Sequence, residues 1–306
     1  MKKTKKIFIL FILLISLCLM FLSGCDDNGE EEIIEPDEFV EDVPDEPMPF
    51  PLFIGDVEIE RSPQRIVSLS PSLTEIIYEL GYGSRLTGRS SYCDFPPVVL
   101  EVPDAGSGAN PDIDRIISLS PSLLLTTSPI SAMDMFRMEQ SGIKTLLIPA
   151  SASLNDLRDT YRALGLVFEG LFTGAEAGDN AFSGISQACD NTRVINIGRF
   201  VYITGGMKAA TGDTLESSVF SCFGENVAAN AINYDFDFEA LLENQPDVIL
   251  LNDIYSIEDL LANEFFKELD AVASGRIILI DNSAFERPSS RLVQLIEEML
   301  ADFRDL

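Results

Sequence analysis

The sequence predicts an α/β protein of two lobes joined by one helix, and three observations predict it. Short apolar runs alternate with amphipathic stretches from Arg65 to the C-terminus, the pattern of βαβ units on parallel sheets. A helix–Pro–strand unit, Asp112-Ile-Asp-Arg-Ile-Ile-Ser-Leu-Ser-Pro121-Ser-Leu-Leu-Leu, returns 125 residues later as Asp237-Phe-Glu-Ala-Leu-Leu-Glu-Asn-Gln-Pro246-Asp-Val-Ile-Leu. Under that shift Asp114 falls on Glu239, each in the first turn of its helix. Two lobes of one plan give this echo; convergent helix–Pro–strand grammar gives it as well, so the echo alone leaves both open. Between the copies, residues 174–192 lack Pro and space Ala175, Ala181, Phe182, Ile185 and Ala188 at partly helical intervals. That stretch reads as the link between lobes, weakened at Gly174, Gly178 and Gly184 by about 1 kcal/mol each relative to Ala.

The chain begins with a cationic stretch (Lys2, Lys3, Lys5, Lys6) and an apolar run at 7–22, short for a spanning helix and suited to a signal peptide. Leu22-Ser23-Gly24-Cys25 resembles a bacterial lipobox, which implies cleavage before Cys25 and its lipidation; a plain signal anchor is the alternative. Residues 26–46 hold only acidic charges, with Pro36 and Pro44 among them, and read as an extended, self-repelling tether. The globular elements follow in order. Strands are expected at 65–70, 85–90, 122–127, 145–148, 200–204, 248–252 and 276–281. Amphipathic helices are expected at 73–80, ending at Gly81, and at 289–303. The expected boundaries are 1–24 signal peptide, 25–52 lipidated Cys and tether, 53–172 first lobe, 173–195 linking helix and 196–306 second lobe.

Composition narrows the function. Lys and Arg number 21 against 50 Asp and Glu, a net charge of −29, which repels nucleic acid. Without any histidine, no Ser-His-Asp or Cys-His relay and no His-ligated metal or haem site can form. Gly81-Tyr-Gly83 and Gly106-Ser-Gly108 complete no dinucleotide or phosphate-loop pattern. The enzyme reading is left with Asp94, Glu286 or a Cys93 nucleophile. Cys93, Cys189 and Cys222 allow at most one disulfide in the globular body.

Arg65-Ile-Val-Ser-Leu-Ser-Pro-Ser-Leu-Thr-Glu75 and Gly88-Arg-Ser-Ser-Tyr-Cys-Asp-Phe-Pro-Pro97 resemble the substrate-binding proteins of ABC importers for cobalamin, ferric siderophores and haem. Gly212-Asp-Thr-Leu-Glu-Ser-Ser-Val-Phe-Ser-Cys-Phe-Gly-Glu-Asn226 looks like the opening helix of that family's second lobe. Phe285-Glu-Arg-Pro-Ser-Ser-Arg291 looks like its ligand-closing loop. The resemblance runs over about residues 62–305, and the 90–97 loop is most similar to the cobalamin branch. It implies two Rossmann-like α/β lobes, a single long inter-lobe helix and a ligand cleft between the lobes.

It also implies that Asp114 and Glu239 dock onto the permease; complementing their own helix N-termini is the competing role. Ligand contacts are implied for Tyr92, Cys93, Asp94, Gly108, Asn110, Met207, Tyr234, Phe285 and Arg287. The competing roles are a cap on the following helix for Asn110, lobe core for Tyr92 and Phe285, and a surface pairing with Glu286 for Arg287. Asp94 beside Cys93 would raise the thiol pKa, favouring an inert cysteine. The chain has no Trp, and Gly106–Gly108 and Asn233 fall where cobalamin binders of the family commonly place aromatics. The expected role is therefore non-enzymatic: a lipoprotein on the extracytoplasmic membrane face, held by the lipid on Cys25. It has no resident cofactor or metal, and passes a corrinoid, or else a ferric siderophore or haem, to a permease dimer and its ATPase subunits. A surface scavenger or sensor with the same cleft is the other class.

Overall fold

The computed structural model describes residues 48–305. The expected signal segment, Cys25 and the acidic stretch through residue 47 lie outside them.

The first lobe opens with a hairpin, β1 (Leu52–Ile54) and β2 (Val57–Ile59), turned at Gly55 with φ +57°. Strands of three residues are too short to show an alternation, so the sequence pattern does not mark them. Then come β3 (Ile66–Ser68), α1 (Pro71–Glu79), β4 (Leu86–Arg89), α2 (Ile113–Ser118), β5 (Leu123–Thr126), α3 (Ala132–Gln140) and β6 (Lys144–Leu147). The sheet order is β4-β3-β5-β6, all parallel. Local chemistry sets these boundaries. Ser70 caps α1 by accepting the Leu73 N–H, Pro71 occupies the first turn, and the chain leaves at Gly81 with φ +87°. Asp112 caps α2 through the Arg115 N–H, so Asn110 is not the cap.

The lobes are joined by one long helical segment, α4 (Leu154–Asn191). Its ladder breaks at Gly170, where φ 78° and ψ −168° suit only glycine. The two arms then run back along each other. Arg158 and Arg162 reach Asp179 at 2.7 and 3.3 Å, and a Cβ on Gly165 would strike the backbone of Gly174. In a straight helix residues 165 and 174 would stand about 13.5 Å apart. The linking helix expected over 173–195 thus starts just after Gly170, stops at Asn191 before a 3₁₀ turn at Thr192–Val194, and has a partner arm before it.

The second lobe comprises β7 (Arg199–Thr204), β8 (Lys208–Ala209), α5 (Leu215–Phe220), β9 (Glu225–Asn226), α6 (Ala240–Glu243), β10 (Val248–Asn252), α7 (Ile257–Leu261), α8 (Asp270–Ala273), β11 (Ile277–Ile280), α9 (Ser283–Glu286) and α10 (Arg291–Asp302). The order β11-β10-β7 is parallel, β8 adds antiparallel to β7, and β9 pairs with β7. The 125-residue echo is structural: α2 and β5 recur as α6 and β10 at the equivalent positions.

Alternation along the strands sorts the core. Ile66, Leu123 and Leu125 from one sheet and Phe200, Tyr202, Val248 and Leu250 from the other face a single central core. That core also contains Tyr161, Leu164, Phe182 and Ile185 of α4 and Leu292, Leu295, Ile296 and Met299 of α10. The intervening residues face outward, Val67 and Leu124 under α2 and α3, and Val201, Ile203, Ile249 and Leu251 under the outer elements of the second lobe. Both lobes therefore rest on one shared helical layer, which favours a stiff link over a wide hinge.

Candidate functional site

The parallel strands of both sheets end at a common cleft, the place where open α/β sheets hold ligands. Ser70 and Ser72 follow β3, Thr127 follows β5, and Pro149, Ala150, Ser151 and Ala152 follow β6. From the other side come Asp213, Thr214, Leu215 and Glu216 at the start of α5, Asn233 and Tyr234, and then Phe285, Glu286 and Pro288. The open volume is about 490 Å³, within the usual span of small-molecule sites.

Its chemistry is one-sided. Asp213, Glu216 and Glu286 line it, and among the described residues no Lys or Arg does. Burial pushes the Glu216 carboxyl above the usual carboxylate range. The Thr211 hydroxyl (2.6 Å) and the Asn233 N–H (2.9 Å) hold Asp213 below that range. Tyr234 has its phenol raised by burial and then by the charges of Glu216 and Asp213. Its N–H is fixed on the Thr211 hydroxyl at 3.0 Å.

One flank of the cleft is bolted shut by polar contacts between lobes. On the closing loop, the Ser289 hydroxyl donates to Glu75 Oε2 at 2.7 Å, and Arg291 Nε lies 3.0 and 2.8 Å from the two Glu75 oxygens. The Ser72 hydroxyl donates to the Pro288 carbonyl, and the Ser290 N–H to Glu79 at 3.0 Å. Arg287 pairs with Asp94, whose carboxyl is held below its ordinary value chiefly by that guanidinium. Arg291 adds a contact to Asp94 at 3.6 Å.

Of the residues the sequence nominated for ligand contact, the cleft wall includes Tyr234 and Phe285. Phe285 also packs edge-on against Phe220, with ring centroids 5.3 Å apart, so it serves core and cleft together. Tyr92 is exposed at 66 % on the first lobe. Asp94 and Arg287 are engaged with each other rather than open, and Arg287 pairs with Asp94, not with Glu286. Gly108 approaches the Ser128 hydroxyl so closely that a Cβ would sit 3.1 Å from it, and Asn110 is exposed in a turn with Ser107.

Two nominated residues do not line this wall. Cys93 is 2 % exposed, its thiol on the Thr74 hydroxyl at 3.3 Å and pushed up by burial, so it faces lobe interior. Met207 packs beside the outer core of the second lobe. Sequence reasoning missed Ser70, Ser72, Ser151, Asp213, Thr214 and Glu216. Asp213 to Glu216 lie within a segment already singled out, but small hydroxyls carry no signal of which way they face.

Asp114 stands exposed in the first turn of α2, paired with Arg137 of α3. Glu239 is exposed at the N-cap of α6 and makes no side-chain capping bond. Among the described residues no cluster of three or more His, Cys, Asp or Glu could hold a metal ion.

The profile of the family described as periplasmic binding protein matches residues 66–284. The chain belongs to that family. It is a helical-backbone, class III substrate-binding protein of ABC importers, non-catalytic and extracytoplasmic, working with a permease–ATPase complex on a diffusible small molecule. The chain is 24% identical over 304 residues to an uncharacterized ABC transporter substrate-binding lipoprotein of Bacillus subtilis, covering 92% of this chain and 93% of that one. It is 24% identical over 263 residues to a vitamin B12-binding protein of Vibrio parahaemolyticus, covering 84% and 95%. The crystal structure of a periplasmic heme binding protein of Vibrio cholerae superposes with a TM-score of 0.65 at 18% identity, covering 78% and 98%. The family thus spans corrinoid and haem carriers, and this binding protein's cleft has to be read on its own chemistry.

Proposed function

We propose that this binding protein captures a corrinoid in the inter-lobe cleft and hands it to its permease through Asp114 and Glu239, while a lipid on Cys25 tethers it to the membrane. A cleft wall that holds Asp213, Glu216 and Glu286 and, among the described residues, no Lys or Arg carries the reading. Catecholate siderophores and haem propionates are anions, and entering this cleft would set like charge against like charge in a partly desolvated space. Arg287 and Arg291, the cations of the closing loop, are both engaged with Asp94. A corrinoid presents neutral amides to Ser72, Ser151 and Tyr234, and its cobalt offsets the phosphodiester of the nucleotide loop, so it brings no net negative charge to the wall. Phe285 and Tyr234 supply the flat apolar area that tryptophans give elsewhere. Relatives of similar length include vitamin B12-binding proteins, which lends the reading support.

The experiment mixes the body from Met48 to Leu306 with cyanocobalamin, cobinamide, hemin, a ferric catecholate or a ferric hydroxamate. Each mixture is desalted while the visible spectrum of the protein peak is recorded. A corrinoid spectrum at about one equivalent is expected. Co-elution of hemin or the catecholate without a corrinoid refutes the charge argument. Co-elution of the hydroxamate alone keeps that argument and replaces the ligand.

A further inference from the structure

Two cysteines that the ligand cleft does not use meet where the linking hairpin ends on the second lobe. Cys189 lies in the last turn of α4, and Cys222 follows α5 by two residues. The Thr192 hydroxyl is within hydrogen-bond reach of both backbone carbonyls, 2.7 Å from that of Cys189 and 2.5 Å from that of Cys222. Both side chains are half-buried and pack against the same central core. Their thiols touch. The neighbouring Cys222 sulfur, with burial, pushes the Cys189 thiol up, while Cys189 holds the Cys222 thiol down. Cys93 sits alone in the other lobe with its thiol committed to Thr74.

We propose that Cys189 and Cys222 are an oxidisable pair that closes into a disulfide on the extracytoplasmic side, stapling the end of the linking helix to the second lobe. Family membership places the protein where disulfides persist. Cys222 opens the exchange. As thiolate it attacks one sulfur of a disulfide oxidant, such as the dithiol–disulfide centre of an exported thiol oxidoreductase, and releases one thiolate. Cys189 then gives up its proton and attacks the Cys222 sulfur of the mixed disulfide, releasing the second. Two protein thiols are oxidised, the oxidant's disulfide is reduced to two thiols, and the two protons pass to those leaving groups. The closed loop spans about 33 residues, and the staple joins helix and lobe without entering the cleft. It would make the second lobe and α4 move as one piece.

The test uses the full chain, exported in a bacterial host, with free thiols alkylated during lysis and the unreduced digest mapped by mass spectrometry. The expected result is a linked pair of peptides containing Cys189 and Cys222, with Cys93 alkylated only after unfolding. Dithiothreitol should lower the melting temperature by roughly 10 °C, and the variant C189S/C222S should show no such response. Recovery of both cysteines as alkylated free thiols, from the exported protein and again after incubation with glutathione disulfide, overturns the proposal. So does any bridge that includes Cys93, or a dithiothreitol shift that persists in the double variant.

Discussion

Arg291→Met tests whether a buried charge pair bolts the lobes together. Glu75 is 3 % exposed; its two oxygens receive Arg291 Nε at 3.0 and 2.8 Å, and one of them also takes the Ser289 hydroxyl at 2.7 Å. Methionine keeps the apolar stem but leaves an ionised carboxylate in the lobe interface with a single hydroxyl for company. Removing one partner of a buried pair costs about 3–5 kcal/mol. The Arg291 side chain is itself 27 % exposed, so the lower end, about 3 kcal/mol, is expected. Glu75→Gln keeps the volume and an acceptor oxygen, and Arg291 retains Asp94 at 3.6 Å. That variant should lose about 1.5 kcal/mol, the worth of one charge-assisted hydrogen bond. The double variant buries no charge and should be more stable than Arg291→Met alone. Urea unfolding followed by far-UV circular dichroism measures all three. An Arg291→Met loss no larger than that of Glu75→Gln, or a double variant as poor as the sum of the two, would refute the reasoning.

Three further outcomes follow from the same geometry. Gly174→Ala should destabilise by about 1–3 kcal/mol because its Cβ meets the backbone of Gly165 and Leu166. Gly184→Ala, whose nearest neighbour is Val293 at 3.6 Å, should gain up to about 1 kcal/mol; equal gains in thermal melts would argue against the hairpin. Glu216→Gln should raise stability at neutral pH. Burial lifts the folded pKa above the unfolded one, so wild-type stability is full at low pH and falls as pH rises through the folded value. Urea midpoints from pH 4 to 8 should show the variant's advantage vanish toward acid; a constant difference counts against the buried charge. Asp114→Ala breaks only an exposed pair with Arg137, so stability should move by no more than about 0.5 kcal/mol. Ligand binding should be intact while cellular uptake falls, and undiminished uptake would favour the scavenger reading.

Much of the fold was legible because each lobe is built from local rules. The strand expected at 248–252 is β10 residue for residue, since Pro246 and the run Val248-Ile-Leu-Leu fix both its start and its burial. The helix expected at 73–80 is α1 shifted by two residues at its start, where Ser70 and Pro71 supply the cap. The hairpin β1–β2 was invisible because three-residue strands carry no period. The first arm of α4 was not distinguished from ordinary amphipathic pattern, and Gly174 and Gly178, which read as helix defects, turned out to be where two arms touch. The site was less legible than the fold. Tyr234 and Phe285 were marked by bulk and position, but Cys93 faced inward because a two-residue turn after Ser90 rotates it onto Thr74. Asp94 and Arg287 are 193 residues apart, and nothing local announces their pairing.

The sequence by itself determined the charge, the missing histidines, the alternating α/β pattern and the echo that places Asp114 opposite Glu239. All of these depend on composition or on contacts within a few residues. Tertiary structure decided which carboxylates are solvent-facing and which are buried, that Glu75 meets Arg291 and Cys189 meets Cys222, and that the cleft wall carries no cation. Burial and pairing depend on chain segments that meet only after folding, and the energy of a charge depends on how much water remains beside it.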